Sequence, residues 1–166
     1  MSLMRFLSLT VAVCTLVSST VATQGTKPGE AKPWATSWEE FAKVLAPDLA
    51  RSGSDAFDKF RREAVTWEGT VAKSTDYDNL RMDAIEMAMS RQTFKIDTAK
   101  IAGTAEATVI YVRPKDGSLD AWKKVPPGTR TAFRGVFGAS SISNLGGSIQ
   151  LTIMVNNAEP VSPPAK

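Results

Sequence analysis

The sequence predicts a mainly β protein, a small five-stranded barrel with a short N-terminal helical segment in front of it. Apolar residues at helical spacing are confined to residues 36–63, whereas apolar and polar residues alternate through much of residues 64–160. Gly69 and Gly135 lie inside alternating runs, where glycine allows the sharp coiling that closes a small barrel. A small β-sandwich, or a half-open sheet covered by the helices, is the alternative.

Residues 1–22 have the pattern of a secretory signal peptide. Arg5 is the one charge of the head, residues 6–17 are mostly apolar, and small residues lead to Ala22. The apolar stretch is shorter than the ~20 residues that span a bilayer. We therefore expect cleavage near Ala22, rather than an uncleaved anchor. We also expect an exported protein, periplasmic or extracellular, with no transmembrane span after cleavage.

Glycine and proline mark two further segments that are predicted to be flexible. Residues 23–35 contain Gly25, Pro28, Gly29 and Pro33, and are interpreted as a linker. Residues 161–166 follow Pro160 and contain two more prolines, and are interpreted as a tail.

The helical segment is predicted over residues 36–63. Ser37 is a candidate N-cap with Glu40 three residues later, as in a capping box. Pro47 is expected to kink or end this helix, and Ser54 is expected to cap a second, shorter one. The apolar face of the first helix comprises Trp38, Phe41, Leu45 and Leu49.

The first two strands follow from alternation. In residues 64–73, one face of the predicted strand carries Val65, Trp67, Gly69 and Val71. Residues 74–79 form a polar turn. The second strand is predicted over residues 80–89, with a bulge near Ala84-Ile85, where the apolar positions change phase.

The middle of the chain is less regular. Residues 90–103 are predicted to be a hairpin extension or a long loop, and residues 105–113 a third core strand. Residues 118–124 are predicted to form a helical turn that points Leu119 and Trp122 at the core.

Two more strands complete the predicted barrel. The fourth covers residues 129–138, with Phe133, Gly135 and Phe137 on one face. Residues 139–147 are predicted to be a loop of small residues, and residues 148–156 the fifth strand.

Three segments carry a resemblance to a known fold. They are residues 65–71 as a first strand, Gly128 ahead of residues 133–135 in a fourth, and residues 149–160 in the last. Together, residues 64–160 resemble the oligonucleotide/oligosaccharide-binding (OB) fold, and look like small exported bacterial proteins with it. The resemblance implies a binding face on the second and third strands and the adjacent loops. The helical segment and residues 90–103 depart from a minimal version of that fold.

The composition excludes several kinds of catalytic site. The chain has no histidine, and its one cysteine, Cys14, lies in the predicted signal peptide. Ser-His and Cys-His nucleophilic sites, zinc sites of the usual N/S kind and disulfides in the mature chain are therefore excluded. Chemistry based on carboxylates or lysine stays open. We predict a protein that is not an enzyme and that has no cofactor and no metal.

Seven side chains are candidates for binding a ligand or partner. Aromatic residues beside basic ones are typical of a nucleic-acid groove. The net charge of +3 is nevertheless small, and Arg5 is lost from it on cleavage. We therefore favour a core position for Trp67 and a solvated one for the arginines. Met154 is out of phase with its apolar neighbours and is expected to be exposed. The candidates are Trp67, Arg81, Tyr111, Arg113, Arg130, Arg134 and Met154.

The sequence thus predicts an exported, non-enzymatic binding or protein-interaction module that acts through one face of a small barrel. Its partner is an unknown protein or small ligand. The alternatives are a nucleic-acid-binding OB-fold protein, which we disfavour, and a secreted carboxylate-based hydrolase.

Overall fold

The structure, a computed structural model, describes residues Lys32–Val161. The predicted signal peptide, most of the predicted linker and the predicted tail beyond Val161 lie outside the described residues.

Three helical elements precede the barrel: α1 (Pro33–Thr36), α2 (Trp38–Ser52) and a 3₁₀ helix (Gly53–Phe60). The predicted N-cap is confirmed, since the Ser37 side chain accepts a hydrogen bond from the Glu40 amide at 3.2 Å. The reciprocal half of a capping box is absent among the described contacts, because the Glu40 carboxylate instead accepts from Lys43 Nζ at 2.6 Å.

Of the two effects predicted for Pro47, a kink or an end of the helix, the end is wrong. Helix α2 runs through Pro47 as far as Ser52, and Gly53 follows with a left-handed φ of 58°. The buried face of α2 packs on the barrel on both sides of the proline, and this packing offsets the hydrogen bond that proline removes.

The expected cap by Ser54 is wrong as well. Ser54 Oγ accepts a hydrogen bond from the backbone amide of Ile142 at 3.1 Å, so it fastens the 3₁₀ helix to a strand instead of capping it. That strand is β5, which lies at the end of the sheet order. A side chain that covers an outward amide of an edge strand reduces its tendency to pair with another chain.

Seven strands and one more helix follow. They are β1 (Ala64–Val71), β2 (Ile85–Asp97), β3 (Ala102–Pro114), α3 (Leu119–Lys123), β4 (Arg130–Phe137), β5 (Ser141–Leu145), β6 (Ser148–Thr152) and β7 (Met154–Val161).

Five of these strands close a barrel. Around it the order is β1, β2, β3, β7, β4 and back to β1, and each neighbouring pair is hydrogen-bonded. The β3–β7 pair is parallel and the other four are antiparallel. Strands β5 and β6 form an additional hairpin beside β3. The predicted class, mainly β with a five-stranded barrel and a short helical segment before it, is confirmed.

The second strand begins later than predicted. Residues 81–83 form a 3₁₀ turn in which Met82 and Asp83 have left-handed φ values of 54° and 53°. The pairing of β2 with β3 is shifted between Ala88 and Gln92, so the predicted bulge at Ala84-Ile85 is misplaced. The two strands stay paired as far as Asp97 and Ala102, which makes residues 90–103 a hairpin extension, one of the two predicted possibilities.

The predicted loop over residues 139–147 is wrong, because most of it is β5 and its turn. Gly146 and Gly147 make a two-residue turn with φ values of 60° and 87°, a conformation that glycine adopts without strain. The predicted fifth strand is in fact two strands, β6 and β7, with the buried Ile153 between them.

In β1 and β4 the predicted inward faces are confirmed. Val65, Trp67 and Val71 of β1 are buried, as are Phe133 and Phe137 of β4. The helical turn predicted after β3 is present as α3.

Trp122 of α3 is fully buried, and its indole nitrogen donates to the Ala158 carbonyl at 3.1 Å. A tryptophan that is buried with its one donor satisfied contributes apolar area without an unpaired polar group.

Candidate functional site

Trp67 lies in the core between the helices and the barrel. It is 1% exposed, and its indole nitrogen donates to the Trp34 carbonyl at 3.0 Å. Its ring centroid lies 4.9 Å from that of Phe41 and 5.5 Å from that of Trp38. Trp67 therefore joins α2 to β1 and has no free ring face on which a base could stack.

Arg130 and Arg134 lie on the outer face of β4, and each contacts a carboxylate of a neighbouring strand. Arg130 donates to both carboxylate oxygens of Glu68, at 2.7 and 3.2 Å. Arg134 donates to Glu159 at 2.6 Å. This hydrogen bond, together with the positive charge of Arg134, lowers the pKa of Glu159. We call these four side chains the paired face.

Tyr111, Arg113 and Met154 come together elsewhere on the barrel. Tyr111 is opposite Met154 in the parallel β3–β7 pair, and both are half-buried. Arg113 lies two residues further along β3 and donates to the Met82 carbonyl at 3.3 Å. The turn that contains Met82 also contains the exposed Arg81. The structure therefore brings four of the seven candidates to one end of β3, and places Arg130 and Arg134 elsewhere.

A groove runs along β3 from this cluster. Strand β3 pairs with β6 at Ala105 and Ile149, and with β7 from Tyr111 onward. Between these points no pairing joins β3 to either strand, and a hollow of about 300 Å³ lies there. A second hollow of about 430 Å³ lies at residues 102–106 and 144–149, and the two share Glu106 and Ile149. We call them together the β3–β6 groove. Its lining is Ala102, Gly103, Thr104, Glu106, Thr108, Val109, Tyr111, Asn144, Gly147, Ser148, Ile149, Gln150, Leu151 and Thr152.

The walls of the groove are polar but carry little charge. Glu106 is the single ionisable carboxylate among the lining residues, and Arg91 lies 3.7 Å from it. The other polar groups are hydroxyls and amides, while Ile149 and Leu151 supply apolar surface. Such a lining suits a ligand that forms hydrogen bonds and contributes some apolar area, and it does not suit a polyanion.

Most groove residues were missed from the sequence. Tyr111 is the one candidate among the lining residues, while Thr108 and Gln150 were not singled out. The signal that could have found them is the alternation of Ile149 and Leu151 with Gln150 and Thr152, which is typical of a strand with one polar face. Their closeness to β3 depends on a parallel pairing between distant segments, which no local pattern encodes.

Among residues Lys32–Val161, no helix is long and apolar enough to cross a membrane. The same residues hold no group of three or more His, Cys, Asp or Glu side chains that could bind a metal ion.

Comparison of the chain with protein-family models, with curated proteins and with solved structures finds no match.

Proposed function

We propose that this chain is an exported, non-enzymatic binding or protein-interaction module, and that it binds through the β3–β6 groove. The observation that carries the proposal is the groove itself, a hollow between β3 and β6 that is lined by hydroxyl, amide and aliphatic groups. Tyr111 at one end provides an aromatic surface with a polar tip, a combination that is common in binding sites.

The topology supports an OB-type barrel. Counted along the chain, the five barrel strands are β1, β2, β3, β4 and β7, so α3 lies between the third and fourth and the β5–β6 hairpin between the fourth and fifth. OB folds bind through the face of strands two and three and through the loops after strands one and four. The groove lies between the third strand and that fourth-to-fifth connection, which is the position that this fold would use.

Nucleic acid is the less favoured ligand. A single-strand groove combines exposed aromatic rings with unpaired positive charge. Here Trp67 is buried, Arg130 and Arg134 are paired with carboxylates, and the groove holds Glu106. The hydrolase alternative needs two carboxylates in one cleft, and Glu106 is the only one that lines this groove.

Site-specific photo-crosslinking in the source organism tests the proposal. A photo-reactive amino acid at Thr108, in the groove, is compared with one at Thr66, an exposed position of β1. We expect a specific adduct from position 108 and none from position 66. Equal capture at both positions, or none at either, would contradict the proposed groove.

Export is tested separately on the same material. If residues 1–22 are a signal peptide, intact mass analysis of the protein from the periplasm or medium will show an N-terminus near Ala22. A full-length protein retained in the cytoplasm would contradict export and leave the groove proposal in place.

A further inference from the structure

A second hollow lies on the other side of the β2–β3 hairpin, away from the β3–β6 groove. Its volume is about 570 Å³, within the range of about 300–1,000 Å³ that small-molecule sites occupy. One wall is the end of α2 and the start of the 3₁₀ helix, the second is the hairpin tip, and the third is β5. We call it the terminal cleft; it is lined by residues 51–55, Ile96, residues 98–101 and Ile142.

The lining of the terminal cleft includes three isoleucines. Ile96 is 1% exposed and belongs to the core, while Ile101 and Ile142 are half-buried and pack against that core. The cleft thus exposes part of the Ile101 and Ile142 side chains, which pack against the core behind them. An aliphatic chain that covers this surface removes apolar area from water, which favours binding.

The walls are held in place by hydrogen bonds. Ser54 Oγ accepts from the Ile142 amide at 3.1 Å, which joins the 3₁₀ helix to β5. At the hairpin tip, Thr98 Oγ1 donates to the Ile101 carbonyl and accepts from the Ile101 amide, both at 3.0 Å. A cleft with fastened walls exists before a ligand arrives, which lowers the cost of ordering it.

The charges at the rim favour an anion. Lys100 makes no ion pair within residues 32–161, and Asp55 makes none there either. Arg51 contacts Asp48 at 2.8 Å, but Asp48 also pairs with Lys59. The charged residues that line the cleft are therefore two cations, Arg51 and Lys100, and one carboxylate, Asp55.

From the aliphatic lining and the cationic rim, we infer that the terminal cleft binds an amphiphile with an aliphatic chain and an anionic head group, such as a medium-chain carboxylate. The chain lies against Ile101 and Ile142, and the head group lies at the rim beside Lys100. This inference does not rest on the proposed function of the β3–β6 groove.

Calorimetric titration of the full chain with decanoate, below its micelle concentration, tests the inference. Decan-1-ol and decyltrimethylammonium serve as neutral and cationic probes with the same chain length. We expect affinity to fall in the order decanoate, decanol, decyltrimethylammonium, and to rise by up to about fourfold for each methylene between octanoate and decanoate. Equal affinity for the cation, or no binding at about 1 mM decanoate, would overturn the inference.

Three variants locate the site. Ala99→Trp places a large ring in the cleft from an exposed position and is expected to weaken decanoate binding at least about tenfold. Lys100→Met is expected to weaken it about three- to fivefold, as for an exposed ion pair. Lys95→Met, on the same hairpin but outside the cleft, is the matched control and should change nothing. If Lys95→Met and Lys100→Met weaken binding equally, the inference fails.

Isoleucine methyl NMR provides a readout that does not depend on affinity. All isoleucines of the chain lie within residues 85–153, so the predicted signal peptide contributes no signal. Decanoate should shift the methyls of Ile101 and Ile142 and leave that of Ile149, in the β3–β6 groove, unchanged. A shift confined to Ile149 would place the ligand in the groove and overturn the inference.

Discussion

The paired face and the β3–β6 groove are both outer surfaces of the same barrel, yet they differ in what they offer a ligand. On the paired face, β1 and β7 flank β4 in antiparallel pairs, with a register shift between Arg134 and Val136 in the β4–β7 pair, and place Arg130 and Arg134 within reach of Glu68 and Glu159. At the groove, β3 leaves β6 for β7, and a hollow opens between the strands. Access for a ligand therefore depends on where two neighbouring strands leave a hollow between them, and does not follow the basic residues.

The largest expected effect concerns the core beneath the paired face. Trp67→Ala should lower the free energy of unfolding by about 3–5 kcal/mol, because it removes a buried ring that contacts α2 and leaves the Trp34 carbonyl without its donor. Urea unfolding followed by circular dichroism measures this change. Thr66→Ala, one residue away and exposed, should stay within about 0.5 kcal/mol of wild type. Similar stability of the two variants would contradict the core assignment of Trp67.

The next effect concerns the close contact between β4 and β7 beside the paired face. A Cβ atom at Gly135 would lie 2.6 Å from Val155 Cγ1 and 2.8 Å from the Asn156 carbonyl oxygen. Gly135→Ala should therefore destabilise the protein by about 1–3 kcal/mol.

Gly69→Ala is the comparison for that variant. A Cβ atom added at Gly69 would lie nearest to the sulfur of the flexible Met89 side chain. The loss in unfolding free energy should therefore be under about 1 kcal/mol. Chemical denaturation of both variants checks the order, and a larger loss for Gly69→Ala would contradict it.

The ion pairs themselves should contribute little to stability. A double-mutant cycle with Arg130→Met and Glu68→Gln should give a coupling free energy of about 0.2–1 kcal/mol that decreases with salt, since both side chains are exposed. The matched cycle with Arg113→Met and Glu68→Gln should show no coupling. A coupling well above 1 kcal/mol would mean that the pair is shielded from solvent.

The smallest expected effect is a dependence of the unfolding free energy on pH. The Arg134 hydrogen bond lowers the pKa of Glu159 in the folded protein. The resulting stabilisation is present above the unfolded pKa and is lost as the pH falls through the folded pKa. A carboxyl NMR titration should show a higher midpoint for Glu159 in Arg134→Met than in wild type, and no change in Arg113→Met. An unchanged midpoint in Arg134→Met would contradict this cause.

The candidate site was predicted less well than the fold. Trp67 and Tyr111 both follow alternating patterns, but one is buried under α2 and the other is half-buried beside Met154. Alternation tells which residues share a face, whereas the neighbours of that face depend on elements far away in the chain. Arg130 and Arg113 both lie in predicted strands, and the sequence does not tell which of them meets a carboxylate. Cross-strand register places Glu68 beside Arg130, whereas Arg113 contacts the Met82 carbonyl.

By itself, the sequence determined the mainly β class, the helix that begins at Ser37, the inward face of β1 and the absence of histidine chemistry. These features depend on local spacing and composition, which act over a few residues. The tertiary structure decided that α2 continues past Pro47, that residues 141–152 form a hairpin, and that a groove opens between β3 and β6. Each of these depends on packing or pairing between distant segments, which outweighs local preference once apolar surface is buried.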